Sequence, residues 1–381
     1  MKTKLISSLI VVTCILNAVT LSAEVKEPKV CAKGAVLIEQ ESGRVLYEKN
    51  SKDPLAMAST TKIMTCILAL ERGRLDDIVT ISKRASVAPP VKLHLKVGEK
   101  QRLGDLLYAL MLQSDNDVAV AVAEHIGGTV ENFCNEMTLK AREIGANDTV
   151  FKTPNGLDAP GHGSTAYDMA IIGSYALANP DFVKIVTTAD IQIPTMPTEG
   201  SRIYGLQNKN RFFYAYSGAN GMKTGFTNKA GHCFVGSAKK EDMQLIGVAL
   251  ASGWGAKGKT QKYTDVINMM NYGFNNYKKY EVITPSSDVG KVKIDKGVKE
   301  DINVACEIKA VLPLTRDEKE NIYNKYTYKQ EMIAPVYKGS EVGKVQVICN
   351  GKVLKEEPIV IAEDVPKATI LYKIKKLLNI N

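Results

Sequence analysis

The hydrophobic period of the chain changes near Ile283, and one layer of structure cannot carry both patterns. Before that point, apolar residues recur at helical spacing in several segments separated by Gly, Asn and Pro. Beyond it, residues 283–365 alternate with a period of two, as in KVKID, INVACEIKAVL and VGKVQVICNGKVL, and Asn350-Gly351 is a strong hairpin turn signal. The length of 381 residues also exceeds one ordinary domain. A mixed first domain over 24–282 and a small β-rich domain over 283–365 are therefore expected. The second segment is nearly neutral, has no His and shows no reactive cluster, so it reads as a spacer or stand.

Within the first segment, AVLIE and RVLYE form a hairpin about Ser42-Gly43. Ser59 opens a helix that Gly73 stops, and its run Ile63, Met64, Ile67, Leu68, Leu70 has so few polar positions that it should be buried. Helices follow over Leu103–Leu112, Asp117–Ile126, Asn132–Ile144 and Ala166–Ala178, with a Gly-, Pro- and Asp-rich loop over Asn155–Ser164. Gly221–Thr227, Cys233–Ala238 and Leu245–Ala251 read as successive strands, and Lys262–Asn276 as a closing helix. The fold class is α+β: helices plus a late antiparallel sheet that the N-terminal hairpin is free to join.

The ends of the chain bear on compartment. Lys2 and Lys4 precede an apolar run from Leu5 to Leu16 and small residues at Ala18, Ser22 and Ala23, the layout of a secretory signal peptide over 1–23. Its removal takes two lysines from a formal charge of +9, leaving +7. An exported protein with a dispersed basic excess faces envelope polymers or lipid, and nucleic acid is not an expected partner. Of seven cysteines six remain, and their spacings match no zinc pattern; no metal or cofactor is expected. Cys306 and Cys349 share the later segment, and either a disulfide or free buried thiols would fit. In the tail over 366–381, Ile370, Ile374, Leu377 and Leu378 share a stripe among four lysines and no acid. Too short and too charged to span a bilayer, it could lie on an anionic membrane surface or dock on the protein.

Three short motifs carry the candidate chemistry. In Ser59-Thr60-Thr61-Lys62 the hydroxyl and the amine, three residues apart on a helix, share a face. Serine needs a base, and the four histidines (His94, His125, His162, His232) form no recognisable Ser-His-Asp pattern. Lysine can serve if burial or a second cation lowers its pKa. Ser114-Asp115-Asn116 lies between two helices, where an N-cap and turn would account for it alone. Lys223-Thr224-Gly225 opens the strand-rich region; the glycine permits close approach by a ligand and the other two could hold a carboxylate. Each motif alone occurs often by chance.

Their order changes the reading. S-x-x-K, S-x-N 55 residues later and K-T-G a further 109 residues on form an ordered set. The chain resembles the penicillin-interacting serine family, and more narrowly its low-molecular-mass D-alanyl-D-alanine carboxypeptidases. The resemblance covers roughly residues 28–276 and extends through Phe151-Lys152-Thr153-Pro154-Asn155-Gly156-Leu157-Asp158, Ser164-Thr165-Ala166-Tyr167-Asp168-Met169-Ala170, and Gly221-Met222-Lys223-Thr224-Gly225-Phe226-Thr227 with Ala230-Gly231. The small β domain and the amphipathic tail also resemble that subfamily's C-terminal part.

The resemblance implies a penicillin-binding/β-lactamase-like domain, an antiparallel sheet with a helical subdomain. It implies that Ser59 attacks the carbonyl between two D-alanines of a peptidoglycan stem peptide, that Lys62 takes its proton, and that Ser114 relays a proton to the leaving D-alanine. Asn116 would position the substrate amide and Lys62. Lys223 and Thr224 would hold the terminal carboxylate, and the strand through Gly225 and Phe226 would pair with the peptide, the N–H groups of Ser59 and Phe226 forming an oxyanion hole. β-Lactams would bind covalently. Lys209 stands where some members place Arg, and Ser252-Gly253-Trp254 where another family Arg occurs. A β-lactamase would need a Glu in an E-x-x-x-N loop; Glu131-Asn132-Phe133-Cys134-Asn135 fits the letters but lies in an expected helix. An endopeptidase or esterase would run closely related chemistry, and a non-catalytic envelope-binding protein could retain the same fold.

Overall fold

The computed structural model describes residues 26–195 and 202–377. The expected signal segment 1–23 and Leu378 of the tail stripe lie outside the described residues. Among the described residues, no helix is long and apolar enough to cross a membrane.

The N-terminal hairpin forms as its pattern predicts, Gly34–Glu39 pairing with Val45–Lys49 about Gly43 at φ +68°. It joins the three late strands in one antiparallel sheet, in the order Val45–Lys49, Gly34–Glu39, Met243–Leu250, Gly231–Lys240, Ala219–Thr227. The K-T-G strand is therefore an edge strand, with backbone groups free to pair. Alternation along the strands loads two separate cores. Val36, Ile38, Cys233, Val235, Ile246 and Val248 face the helical layer. Ala35, Leu37, Phe234, Leu245 and Ala249 face the long helix Gly255–Asn276, where Val266, Met269 and Met270 meet them.

The helix Lys62–Arg72 runs through the larger core, every residue from Lys62 to Ala69 buried. Burying Ile63, Met64, Ile67 and Leu68 gains about 1.5–3 kcal/mol each, enough together to offset one buried amine at the helix start. A 3₁₀ turn, Ala58–Thr61, leads into it, so Ser59 sits on the tight turn ahead of the helix. The helices Asn116–Gly127, Val130–Glu143 and Ala166–Leu177 pack around it. The expected helix Leu103–Leu112 is a helix only to Tyr108; it widens into a π turn over Ala109–Gln113 and stops at Ser114, which is left-handed at φ +72°. Several further elements escaped the sequence reading, among them the strand pair Ile78–Thr80 with Lys100–Arg102, the pair Asp190–Pro194 with Ile203–Gln207, and short helices at Lys83–Ser86, Pro180–Val186 and Arg211–Ala215.

The later residues form a six-stranded sheet with its own core of Val292, Ile302, Val304, Val345, Val347 and Ile359. Glu341–Cys349 and Lys352–Ile361 pair about Asn350 and Gly351, both left-handed as a tight hairpin turn requires. One short helix, Arg316–Asn321, interrupts the strands behind a capping box at Thr315 and Glu318. Cys306 and Cys349 are both buried and unbonded, so a disulfide between them is set aside: their sulfurs point to the carbonyls of Ile308 and Glu318 instead. A helix over Ile370–Leu377 ends the described chain, with Ile370, Leu371 and Ile374 exposed and the Tyr372 hydroxyl donating to the Val298 carbonyl.

Candidate active site

Ser59 owes its position to one left-handed turn and two close backbone approaches. Ala58 is left-handed at φ +48°, which turns the chain sharply before the helix. Gly156 lies so near that a Cβ there would fall 1.9 Å from the Ala58 carbonyl oxygen. Gly225 faces the turn from the edge strand, where a Cβ would lie 2.7 Å from the Ser59 nitrogen and 3.1 Å from that of Thr60. The glycine of K-T-G is thus required by space: the strand passes directly over the N–H of Ser59.

Lys62 has no exposed surface. Its Nζ lies 2.9 Å from Ser59 Oγ, 2.9 Å from Asn116 Oδ1 and 2.7 Å from the Asn155 carbonyl. Ser59 Oγ is also 3.2 Å from that carbonyl. Burial first, and the Lys223 charge second, hold the Lys62 pKa well below that of a free lysine, against the pull of Asp115 and Asp117. In the neutral amine two N–H groups serve Asn116 Oδ1 and the Asn155 carbonyl, and the lone pair is left for the Ser59 hydroxyl proton. Asn116 is oriented in turn by donating to the carbonyls of Pro89 (3.1 Å) and Pro90 (2.9 Å). Its amide oxygen is therefore the atom aimed at Lys62.

Lys223 is 2% exposed, and its Nζ donates to the Thr224 carbonyl at 3.0 Å. Burial and then the Lys262 charge bring its pKa down to about 7. Ser114 is partly exposed, and its hydroxyl has no hydrogen-bond partner among the described residues. Asp115, beside it, is 2% exposed with Oδ2 unpartnered; burial and then Asp117 raise its pKa to about 7. Thr224 is partly exposed on the edge strand, and the Phe226 ring is exposed, lying 4.4 Å from that of His232. Lys209 is exposed; its charge acts on both Asp115 and Lys223, and its N–H donates to the Leu112 carbonyl at 3.1 Å. Ser59, Lys62, Asn116, Lys223 and Gly225 thus converge, and Ser114, Thr224, Phe226 and Lys209 border them.

The histidines stand aside. His162 Nδ1 accepts from the Lys152 N–H, which leaves Nε2 to donate to Thr61 Oγ1 at 3.1 Å, and burial lowers its pKa to about 4. Glu131 pairs with Arg84 on the surface, so the E-x-x-x-N letters mark no second base here. Among the described residues no group of three or more His, Cys, Asp or Glu could hold a metal ion. Two participants escaped the sequence reading. The Asn155 carbonyl is a backbone group with no signature of its own, although it sits in the quoted F-K-T-P-N-G-L-D stretch. Lys262, 6% exposed, whose charge lowers the Lys223 pKa, stands in the segment read only as the closing helix.

A serine hydroxyl and a buried lysine, bridged by an asparagine and overlooked by a second buried lysine on an edge strand, make an acyl-transfer constellation that uses no histidine. Comparison with known proteins agrees with that chemistry. Residues 21–253 match the family described as D-alanyl-D-alanine carboxypeptidase, and residues 277–367 match the C-terminal domain of penicillin-binding protein 5. The chain is 34% identical to D-alanyl-D-alanine carboxypeptidase DacF of Bacillus subtilis (strain 168), covering 91% of this chain and 89% of that protein. It is 30% identical to D-alanyl-D-alanine carboxypeptidase DacC of Escherichia coli (strain K12), covering 90% and 86%. Penicillin-binding protein 5 of Haemophilus influenzae superposes with a TM-score of 0.77 at 27% identity, over 90% of this chain and 99% of that one. With both halves matched in order, the chain belongs to the D-alanyl-D-alanine carboxypeptidase family of low-molecular-mass penicillin-binding proteins.

Proposed function

We propose that the protein removes the terminal D-alanine from peptidoglycan stem peptides through an acyl-enzyme on Ser59, and that β-lactams acylate the same hydroxyl. The observation that carries this reading is the 2.9 Å contact between Ser59 Oγ and a wholly buried Lys62 whose pKa is held far down. Ser59 Oγ bonds to the carbonyl carbon of the penultimate D-alanine as its proton passes to Lys62 Nζ. The developing oxyanion is received by the N–H groups of Ser59 and Phe226, a role supported by the close approach of the edge strand at Gly225 to the Ser59 nitrogen. Collapse breaks the peptide bond, and the leaving amine takes a proton from Lys62 through the Ser114 hydroxyl. Water then attacks the ester as Lys62 accepts its proton, and Lys62 hands that proton to the departing Ser59 Oγ, so the acid leaves and the free hydroxyl and neutral amine are restored. The peptide lies antiparallel to the edge strand Ala219–Thr227, adding to the sheet.

The same reading assigns residues 1–23 to export, 24–282 to catalysis, 283–365 to a stand, and 366–381 to contact with an anionic membrane. The exposed Ile370, Leu371 and Ile374 supply the apolar face for that contact. Sedimentation with anionic vesicles, with and without residues 366–381, tests the tail; equal binding by both forms removes that assignment.

A fluorescent penicillin followed by a denaturing gel tests the reaction. The label should persist on the wild type and vanish in Ser59→Ala and Lys62→Ala, both still folded. Free D-alanine released from a pentapeptide then separates a carboxypeptidase from an endopeptidase. Normal labelling of Lys62→Ala would remove Lys62 as the base.

A further inference from the structure

Among the described residues no histidine hydrogen-bonds Ser59 or Lys62, yet His162 is buried beside them with both ring nitrogens engaged. Nδ1 accepts from the Lys152 N–H at 3.0 Å, so in the neutral ring the single proton sits on Nε2. Burial keeps the ring neutral, at a pKa of about 4, while Asp158 pulls that value up and Lys229 pushes it down. The Phe151 ring packs edge-on against the imidazole at 6.1 Å. Nε2 therefore donates to Thr61 Oγ1, 3.1 Å away, and the Thr61 hydroxyl donates in turn to the Ala58 carbonyl at 2.8 Å. The bond that Thr61 accepts fixes its rotamer and strengthens the bond that it gives.

The Ala58 carbonyl and the Ser59 N–H are the two ends of one trans peptide unit. The unit is planar, so a hydrogen bond that aims the carbonyl also aims the N–H, in the opposite direction. The unit needs holding. Ala58 at φ +48° lies in a region that an L-residue adopts at a cost and keeps only where its surroundings enforce it. The Thr61 hydroxyl and the close pass of Gly156 grip the carbonyl end, and Gly225 overlies the nitrogen. His162 thus ends a chain of hydrogen bonds that starts outside the site and stops at the backbone of the nucleophile. The other end of its loop, residues 155–164, carries the Asn155 carbonyl to Lys62, so loop and turn are tied twice.

We propose that His162 is a positioning residue for acylation: through Thr61 it fixes the peptide plane between Ala58 and Ser59, and with it the aim of the Ser59 N–H at the developing oxyanion. The role rests on the acyl-enzyme reading of Ser59; the hydrogen-bonded chain does not. His162 exchanges no proton with the substrate. Its work is done before the reaction starts, by keeping one donor of the oxyanion site from turning away.

Stopped-flow with a fluorescent penicillin separates initial binding from acylation. His162→Leu and Thr61→Val should each slow acylation about tenfold, short of the ~10²–10³-fold cost of losing an oxyanion donor outright, and leave initial binding unchanged. The double variant should be no slower than the slower single, because both break one chain. His162→Gln, whose amide can donate in place of Nε2, should restore most of the rate. Infrared spectra of the penicilloyl-enzyme read the donors directly. A carbonyl that accepts weaker hydrogen bonds stretches at higher frequency, so the ester band should move up in His162→Leu and Thr61→Val and return in His162→Gln. Melting temperatures show whether each variant is folded; should His162→Leu unfold, Thr61→Val and His162→Gln carry the test. Acylation at the parent rate overturns the proposal, and so does slower acylation with an unmoved ester band, which would leave His162 a purely structural residue. A wild type that penicillin does not label removes the acyl-enzyme reading and this role with it, whereas a labelled wild type matched by its variants removes this role alone.

Discussion

At the residue scale, the three motifs are legible because their chemistry lies in side-chain identity and order, both of which a sequence displays. What a sequence hides is environment. Nothing in KGKTQKY marks Lys262 as buried, since its seat is made by residues 232–234 of a distant strand. The Asn155 carbonyl is hidden because every residue has one. The lowered pKa of Lys62 is itself testable through stability. Between that lowered value and 10.5 the unfolded chain binds a proton that the folded chain has released, so wild-type stability rises with pH across this window. Lys62→Met lacks the titration and leaves two acceptors unpaired, at about 1–3 kcal/mol each. Its melting temperature minus that of the wild type should therefore fall steadily as pH rises from about 7 to about 10. A flat or rising difference in scanning fluorimetry would mean that folded Lys62 keeps its proton. Asp115 gives a second handle. It faces Asp117, Lys62, Lys209 and Lys223, and its charge raises the pKa of both buried lysines of the motifs. Asp115→Asn removes that charge, so Lys62 reaches its basic form at lower pH. The acidic limb of the penicillin acylation rate should move down by about half a unit to one unit, since Asp115 is only partly ionised near neutrality. Stopped-flow acylation across pH measures it, and a limb displaced upward contradicts the assignment.

At the element scale, long periodic segments were readable and short ones were not. The hairpin at Ser42-Gly43, the buried helix after Ser59, the three late strands and the Asn350-Gly351 turn each join a clear period to clear turn chemistry. Ile78–Thr80 and Lys100–Arg102 are three residues each, too short to establish a period, and their pairing spans an intervening loop. The π turn at Ala109–Gln113 was illegible for another reason: its residues are ordinary helix formers, and none of them marks the widening that ends at the left-handed Ser114. Gly225 shows how elements set the site. The strand and the Ser59 turn touch backbone to backbone, and the Cβ of Gly225→Ala would meet the Ser59 nitrogen at 2.7 Å and the Ala58 Cβ at 2.9 Å. Backbone cannot yield there as a flexible side chain would, so the strand must move away from Ser59. Stability should fall by about 1–3 kcal/mol, while acylation should fall about 10²–10³-fold, the usual cost of one misplaced oxyanion donor. Urea unfolding beside penicillin acylation rates tests both. An acylation rate near that of the wild type would mean that this approach does not form the oxyanion site.

At the scale of the whole molecule, the change of period near Ile283 foretold two cores but not how they join. The junction pairs residues hundreds of positions apart, and single-sequence patterns carry no such information. Arg44, at the turn of the N-terminal hairpin, donates to the Pro313 carbonyl and pairs with Glu318, and its guanidinium lies 5.7 Å from the Tyr277 ring. Lys279 reaches back to Glu41, with Glu39 at 3.9 Å. Glu318 is also the reciprocal half of the cap at Thr315, so one carboxylate both closes a helix and holds the junction. Arg44 and Glu318 are 13% and 22% exposed, which shields the pair from solvent without burying it, so its loss should cost less than the 3–5 kcal/mol of a buried pair, about 1–2 kcal/mol. Because this cost falls on the join and not on either core, Arg44→Ala should leave β-lactam acylation of Ser59 unchanged. Limited proteolysis between Tyr277 and Pro285 should then speed up several-fold, in proportion to the population of the parted form. Cleavage at the wild-type rate would mean that packing around Tyr277 and Lys279 holds the two bodies together without Arg44. Slower acylation would mean instead that the β-rich body supports the catalytic sheet itself, through the strand pair Gly34–Glu39 and Val45–Lys49 on which Arg44's turn is built.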